Sequence, residues 1–192
     1  MTDKKLKPII EYYDDGKIEC AYSVDENGNK QGPYEEYHDN GRLRLKYTYK
    51  DDEPDGPYEE YYGNGQLRKK CTYKDGELDG PYEEYHKNGR LKVKCTYKDG
   101  KEDGPEEWYD ENGQLWKKCV YRMGERLYGK EAEEYLKEWN EKHMTPQEAR
   151  KGLNARLTQM DKQMAPTQLR QAVKRAEVAK FRAKFPNKKD GR

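Results

Sequence analysis

From Leu67 to Lys74 the chain alternates, with Leu67, Lys69, Cys71 and Tyr73 falling to one side and Arg68, Lys70, Thr72 and Lys74 to the other. A period of two marks a strand with two unlike faces. Ahead of it, "GPYEEY" predicts a partner strand that Pro57 can open, since a proline at a strand's first residue breaks no ladder bond. Asn64-Gly65 predicts the turn between them, because both residues tolerate positive φ. A second turn, "KDGELDG", leads onward. The pattern begins again at Gly32, Gly56, Gly80 and Gly104, always 24 residues apart, and a degenerate unit covers residues 10–31. Each unit carries glycines and a proline that a helix would not tolerate. A fixed period of this size predicts an elongated antiparallel β-hairpin repeat sheet.

Comparing the units separates frame from variation. The Gly-Pro start, Glu35/Glu59/Glu83/Glu107, Tyr37/Tyr61/Tyr85/Tyr109, Leu43/Leu67/Leu91/Leu115 and Tyr49/Tyr73/Tyr97/Tyr121 do not change. In the last unit Tyr34/Glu36 becomes Glu106/Trp108, which moves the aromatic residue along the strand and keeps it on the same face. Lys46, Lys70, Lys94 and Lys118 are placed to pair with the glutamates across strands, at about 0–1 kcal/mol per exposed pair.

After Gly129 the pattern changes to a helical period. Ala132, Tyr135, Leu136, Trp139 and His143 share one face of a predicted capping helix over 130–144, expected to fold back on Trp116 and Val120. Thr145-Pro146-Gln147-Glu148 reads as a capping box that opens a further helix. Leu153, Leu157, Met160 and Met164 form its stripe, and Leu169, Val173, Ala176 and Phe181 supply the apolar side of a last helix ended by Pro186. The expected fold is mainly β plus α: a repeat domain over 1–129, the cap, and a basic helical tail over 145–192.

Composition alone favours disorder, with 40% charged and 32% hydrophobic residues, but 18 tyrosines arranged in phase outweigh it. The net charge of +1 hides a division, because residues 151–192 hold 12 Lys/Arg against 3 Asp/Glu. Cys71, Cys95 and Cys119 share one column. Equivalent residues two strands apart are about 9–10 Å from each other, too far for a disulfide or a shared zinc ion, so they read as small packing residues. His38 and His86 share a variable column with Tyr62 and Asp110 and read as repeat positions. No residue set points to a catalytic centre, a metal or a cofactor, and the expectation is a non-enzyme. Free thiols, with neither a signal peptide nor a long apolar run, suggest a cytoplasmic setting.

The repeat G-P-Y-E-E-Y-x-x-N-G-Q/R-L-x-x-K-x-T-Y-K-D-G resembles the MORN-repeat variant of bacterial proteins in the YwqK-like antitoxin family, over roughly residues 10–128. The resemblance implies an extended antiparallel sheet and a binding role, and supplies no catalytic residues. The functional reading is a protein-binding module, an antitoxin- or immunity-like inhibitor of a partner protein. Its expected contact residues are Tyr34, Tyr37, Tyr58, Tyr61, Tyr82, Tyr85, Trp108 and Tyr109. The alternatives are a scaffold, adaptor or phage-type inhibitor of host machinery, or a nucleic-acid- or membrane-associated protein acting through Lys174, Arg175, Lys180, Arg182 and Lys184.

Overall fold

The computed structural model describes residues 6–163 and 168–185, with side chains at 6–158 and 174–185. It forms two units, Met1–Leu136 and Lys137–Arg192.

In the first unit, β1 (Lys7–Tyr12) and β2 (Ile18–Val24) make the degenerate hairpin. Four hairpins follow: β3 (Gly32–Tyr37) with β4 (Leu43–Lys50), β6 (Gly56–Tyr61) with β7 (Leu67–Lys74), β9 (Gly80–Tyr85) with β10 (Leu91–Lys98), and β12 (Gly104–Tyr109) with β13 (Leu115–Arg122). Between them run short strands that the sequence pattern shows only as a turn: β5 (Glu53–Pro54), β8 (Glu77–Leu78), β11 (Lys101–Glu102) and β14 (Glu125–Leu127), each folded back on the strand before it. All pairings are antiparallel and strand order follows chain order, giving one 14-stranded sheet.

The two turns of each repeat use different chemistry. At Asn-Gly the hairpin forms as expected, but only the glycine has positive φ (Gly65, 87°), and Gly65 N–H donates to Tyr62 O at 2.7 Å. This is a type I turn followed by a left-handed glycine. The two-residue turn with both φ values positive falls instead on Asp75-Gly76 (47° and 81°) and its equivalents Asp51-Asp52, Asp99-Gly100 and Met123-Gly124. Gly76, Gly100 and Gly124 N–H groups then donate to Pro54, Leu78 and Glu102 carbonyls of the preceding repeat, at 2.8–3.0 Å. Each of these turns is thus fastened to the one before.

The sheet has two unlike faces. On one, the register runs Glu35–Lys46–Glu59–Lys70–Glu83–Lys94–Glu107–Lys118, an unbroken alternation of charge across eight strands. Lys46–Glu59 and Lys118–Glu107 close at 2.8 Å and Lys94–Glu107 at 3.7 Å. The other face carries Tyr34, Tyr47, Tyr58, Tyr73, Tyr82, Tyr97 and Trp108 around the buried residues Cys71, Val93, Cys95 and Cys119. Among the described residues no large side chain is fully buried, as expected of a thin sheet whose small core lies among leaning rings.

Helix α1 (Gly129–His143) crosses the boundary between the units. Its attachment to the sheet corrects the expectation from sequence. Glu131 pairs with Arg122 at 3.1 Å, the Arg122 guanidinium lies 4.7 Å above the Tyr135 ring, and Tyr135 Oη–H donates to Asp103 Oδ1 at 2.6 Å. Val120 is buried opposite Leu127 of β14, while Trp116 stays 64% exposed. The cause is strand geometry: the chain leaves β13 at Arg122, and Trp116 lies six residues back, about 20 Å along the strand. Trp139 stacks on His143, ring centroids 4.2 Å apart.

In the second unit, α2 (Pro146–Gln163) and α3 (Gln168–Lys184) pack together. The capping box forms as read: Glu148 N–H donates to Thr145 Oγ1 at 3.2 Å, and Thr145 N–H donates to Glu148 Oε2 at 2.9 Å. Ala149 and Leu153 are buried, and Leu157, Val178, Phe181 and Phe185 half-buried. Ala176 is exposed, which corrects its place on the apolar side: the face of α3 that packs passes through 174, 177, 178, 181 and 185. The side chains of Met160, Met164, Leu169 and Val173, and Pro186 itself, lie outside the described residues.

Candidate functional site

The expected contact residues divide by strand parity. Tyr34, Tyr58, Tyr82 and Trp108 lie on the aromatic face, whereas Tyr37, Tyr61, Tyr85 and Tyr109 lie on the charge-ladder face with the glutamates two residues before them. Those four hydroxyls are each taken by a neighbour: Tyr37, Tyr61, Tyr85 and Tyr109 donate to Glu35, Glu59, Glu83 and Glu107 at 2.5–2.7 Å. They are clasps of the frame, as is Tyr82 on the aromatic face, which donates to Glu84 at 2.5 Å.

That face is a chain of rings. Centroid distances are 5.8 Å for Tyr22–Tyr34, 5.0 Å for Tyr34–Tyr47, 5.6 Å for Tyr47–Tyr58 and 5.4 Å for Tyr82–Tyr97, within the range of favourable aromatic pairing. Lysine ammonium groups lie over the rings: Lys30 is 5.0 Å from Tyr22, Lys69 is 4.8 Å from Tyr58 and 5.4 Å from Tyr82, and Lys117 is 4.9 Å from Trp108. Burial holds the Tyr58 hydroxyl up at about 12, with the Glu60 charge adding to it, so the rings are neutral throughout the physiological range. Neutral hydroxyls with large faces suit close contact with a second protein.

Beside the rings runs a column of ion pairs that changes character at one end. Glu36–Arg44 is 2.8 Å, Glu60–Arg68 is 2.5 Å and Glu84–Lys92 is 3.2 Å. In the fourth repeat the same two positions hold Trp108 and Trp116, centroids 6.1 Å apart with the rings edge to face. With Trp116 64% exposed, this end of the face is apolar and open. Reading the two columns together would have found the pair in the sequence; read one at a time they appear as unrelated substitutions.

The variable column has a structural use. Tyr13, Tyr62, His38 and His86 each reach the backbone carbonyl of the next repeat's tyrosine: Tyr13 Oη to Tyr37 O at 2.5 Å, His38 Nε2 to Tyr61 O at 2.9 Å, Tyr62 Oη to Tyr85 O at 2.8 Å and His86 Nε2 to Tyr109 O at 2.9 Å. Asn40, Asn64 and Asn88 similarly donate to Gly63, Lys87 and Glu111 carbonyls at 2.8–3.3 Å. Histidine and tyrosine alternate there because either offers a donor at the required reach.

The four cysteines are free and buried. Burial pushes Cys20 and Cys71 up to about 11 and Cys95 to about 12, the reverse of what a nucleophile needs. Among the described residues no cluster of three metal-ligating side chains occurs. On α3, Arg175, Lys180, Arg182 and Lys184 are exposed and Lys174 half-buried. Lys180 pairs with Glu177 at 3.6 Å, and Lys184 Nζ donates to Glu141 O at 2.9 Å. No described helix is long and apolar enough to cross a membrane.

A sheet of serially stacked hairpins with one ladder face and one ring-lined face is a repeat scaffold of the binding kind. Four segments, residues 30–51, 54–75, 78–99 and 102–123, match the family model described as the MORN repeat variant. Such repeats commonly serve as protein- or membrane-binding modules. No curated protein matches the chain.

Proposed function

We propose that the protein is a non-enzymatic binder of another protein, an antitoxin- or immunity-like inhibitor that lays its aromatic face on its target. The observation that supports this most is the end of that face, where Trp116 stands 64% exposed against Trp108. Exposed tryptophan at the edge of an aromatic patch is costly to leave in water and typical of an interface anchor. The opposite face is taken up by its own charge ladder and clasped tyrosines, which leaves it little to offer a partner.

Photo-crosslinking in the native cell tests this reading. A photoreactive residue at position 116 is expected to trap one protein in stoichiometric yield, and one at position 70, on the ladder face, to trap none. Equal trapping at both positions, or none at 116, overturns it. A nucleic-acid role has the exposure of Arg175, Lys180 and Arg182 in its favour. It requires nucleic acid that co-purifies and is released by salt.

A further inference from the structure

Among the described residues β1 pairs only with β2, so one side of its backbone meets no other strand. The groups that line this open side follow from β2. Gln31 N–H donates to Ser23 O at 2.8 Å, so the polar groups of Ser23 point towards β3, and those of its partner Pro8 point out of the sheet. Tyr13 N–H donates to Lys17 O at 2.8 Å, which fixes the opposite parity. The open side therefore presents the carbonyl of Pro8 and both backbone groups of Ile10 and Tyr12.

The side chains at this edge depart from the other units. The row of the charge ladder continues from Glu35 to Ala21 of β2 and Ile10 of β1. Ile10 thus stands where the other units hold Glu35, Glu59, Glu83 and Glu107, and Ala21 where they hold Lys46, Lys70, Lys94 and Lys118. The ladder loses its charges at the one place where charge would keep another strand away. Ile10 is 47% and Tyr12 57% exposed, and Leu6 and Ile18 are exposed with them. An apolar cluster of this kind on an open edge marks an interface.

We propose that a second copy of the chain completes this edge, its β1 lying antiparallel to the first about a two-fold axis at Ile9. The charges of the strand select this register. Lys7 of each copy stands directly opposite Glu11 of the other, on the face that carries the rings, with Ile9 against Ile9 between them. Lys7 is exposed, and Tyr22 Oη–H donates to Glu11 Oε1 at 2.8 Å and holds that carboxylate in place. On the ladder face Pro8 stands opposite Ile10 and Leu6 opposite Tyr12, an apolar stripe across the axis. Ile10 N–H donates to the Pro8 carbonyl of the second copy, so the proline forfeits only the bond whose donor it lacks. An unrelated strand would have to carry its own glutamate and lysine at this spacing, whereas a second copy carries them by symmetry. The axis is perpendicular to the sheet, so the aromatic faces of both copies lie on the same side.

Sedimentation of the full chain tests this. The expected result is a concentration-dependent dimer, which Ile10→Glu, restoring the residue of the other units, converts to a folded monomer. Lys7→Glu and Glu11→Lys should each raise the dissociation constant about tenfold, because each sets like charges opposite one another twice. The chain carrying both exchanges should return to within a few-fold of the parent, a recovery that misfolding cannot produce. Ile9→Cys should oxidise to a disulfide-linked dimer, since partners of this kind lie about 4.5 Å apart at Cα. A monomer at every concentration overturns the proposal, whether or not another protein takes the edge. A dimer unmoved by Ile10→Glu, or no recovery in the double exchange, overturns it as well. None of these outcomes bears on trapping at position 116.

Discussion

His38 Nε2 lies 2.9 Å from the carbonyl oxygen of Tyr61, one full repeat further along the chain. The nitrogen facing that carbonyl carries a proton and donates it. Because Tyr62 makes the same contact, His38→Tyr should be nearly neutral, whereas His38→Phe should lose about 1 kcal/mol. Amide hydrogen exchange read around Tyr61–Gln66 in the two variants checks this: faster exchange in Phe but not in Tyr is the expected result.

Met123 has φ 49° at a position where the other repeats hold Asp51, Asp75 and Asp99. Its side chain is 41% exposed and gains little from packing, while the left-handed backbone disfavours it. Met123→Asn should raise stability by about 0.5–1 kcal/mol, seen as a higher urea midpoint. An unchanged midpoint would mean that this turn carries no strain.

Two sets of carboxylates give opposite pH dependences. Glu59 is held low by hydrogen bonds from Lys46 and Tyr61, so its contribution is present above the unfolded value of about 4.3 and is lost as pH falls through the lower folded value. Glu102 is held high by burial and then by Glu106, so its contribution is full below that unfolded value and is lost as pH rises through the folded one. Glu102→Gln should therefore be more stable than the parent near neutral pH, with the gap closing in acid; Glu59→Gln should be less stable near neutral pH, with its gap closing as well. Urea midpoints measured from acid to neutral pH separate the two.

Cys20, Cys71 and Cys95 have thiols raised to about 11, 11 and 12. Since the thiolate is the reactive form, a coloured disulfide reagent at about pH 8 should label them roughly a hundredfold more slowly in the folded protein than in urea. Rapid labelling without urea would show that the column opens.

Much of this architecture was legible before any coordinate. The period, the alternation and the Gly-Pro starts specify hairpins, and the lysine and glutamate columns meet as a ladder because strand order follows chain order. Three things were not legible. The short strand β8 is hidden in "KDGELDG" because two residues carry no periodicity. The division of Tyr34 from Tyr37 was available from parity but is obscured by the bulge between Glu36 and Tyr37. The docking of α1 depends on Arg122 and Asp103, which look like ordinary surface charges until Glu131 and Tyr135 meet them. The Trp108–Trp116 pair was spelled out in two columns, and only adjacency in the sheet joins them.

Asp110 stands in the column of His38, Tyr62 and His86, and its carboxylate accepts from the N–H groups of Asn112 and Gln114 in its own turn, at 2.9 and 2.8 Å. A carboxylate has no proton to offer a following repeat. The array is therefore punctuated: the first three repeats each hold out a hand to a successor and the fourth does not. Lengthening by duplication is then an event of the interior, where a copied 24-residue unit finds a donor behind it and a carbonyl ahead, and the terminal repeat with its tryptophan pair stays at the end however many units precede it.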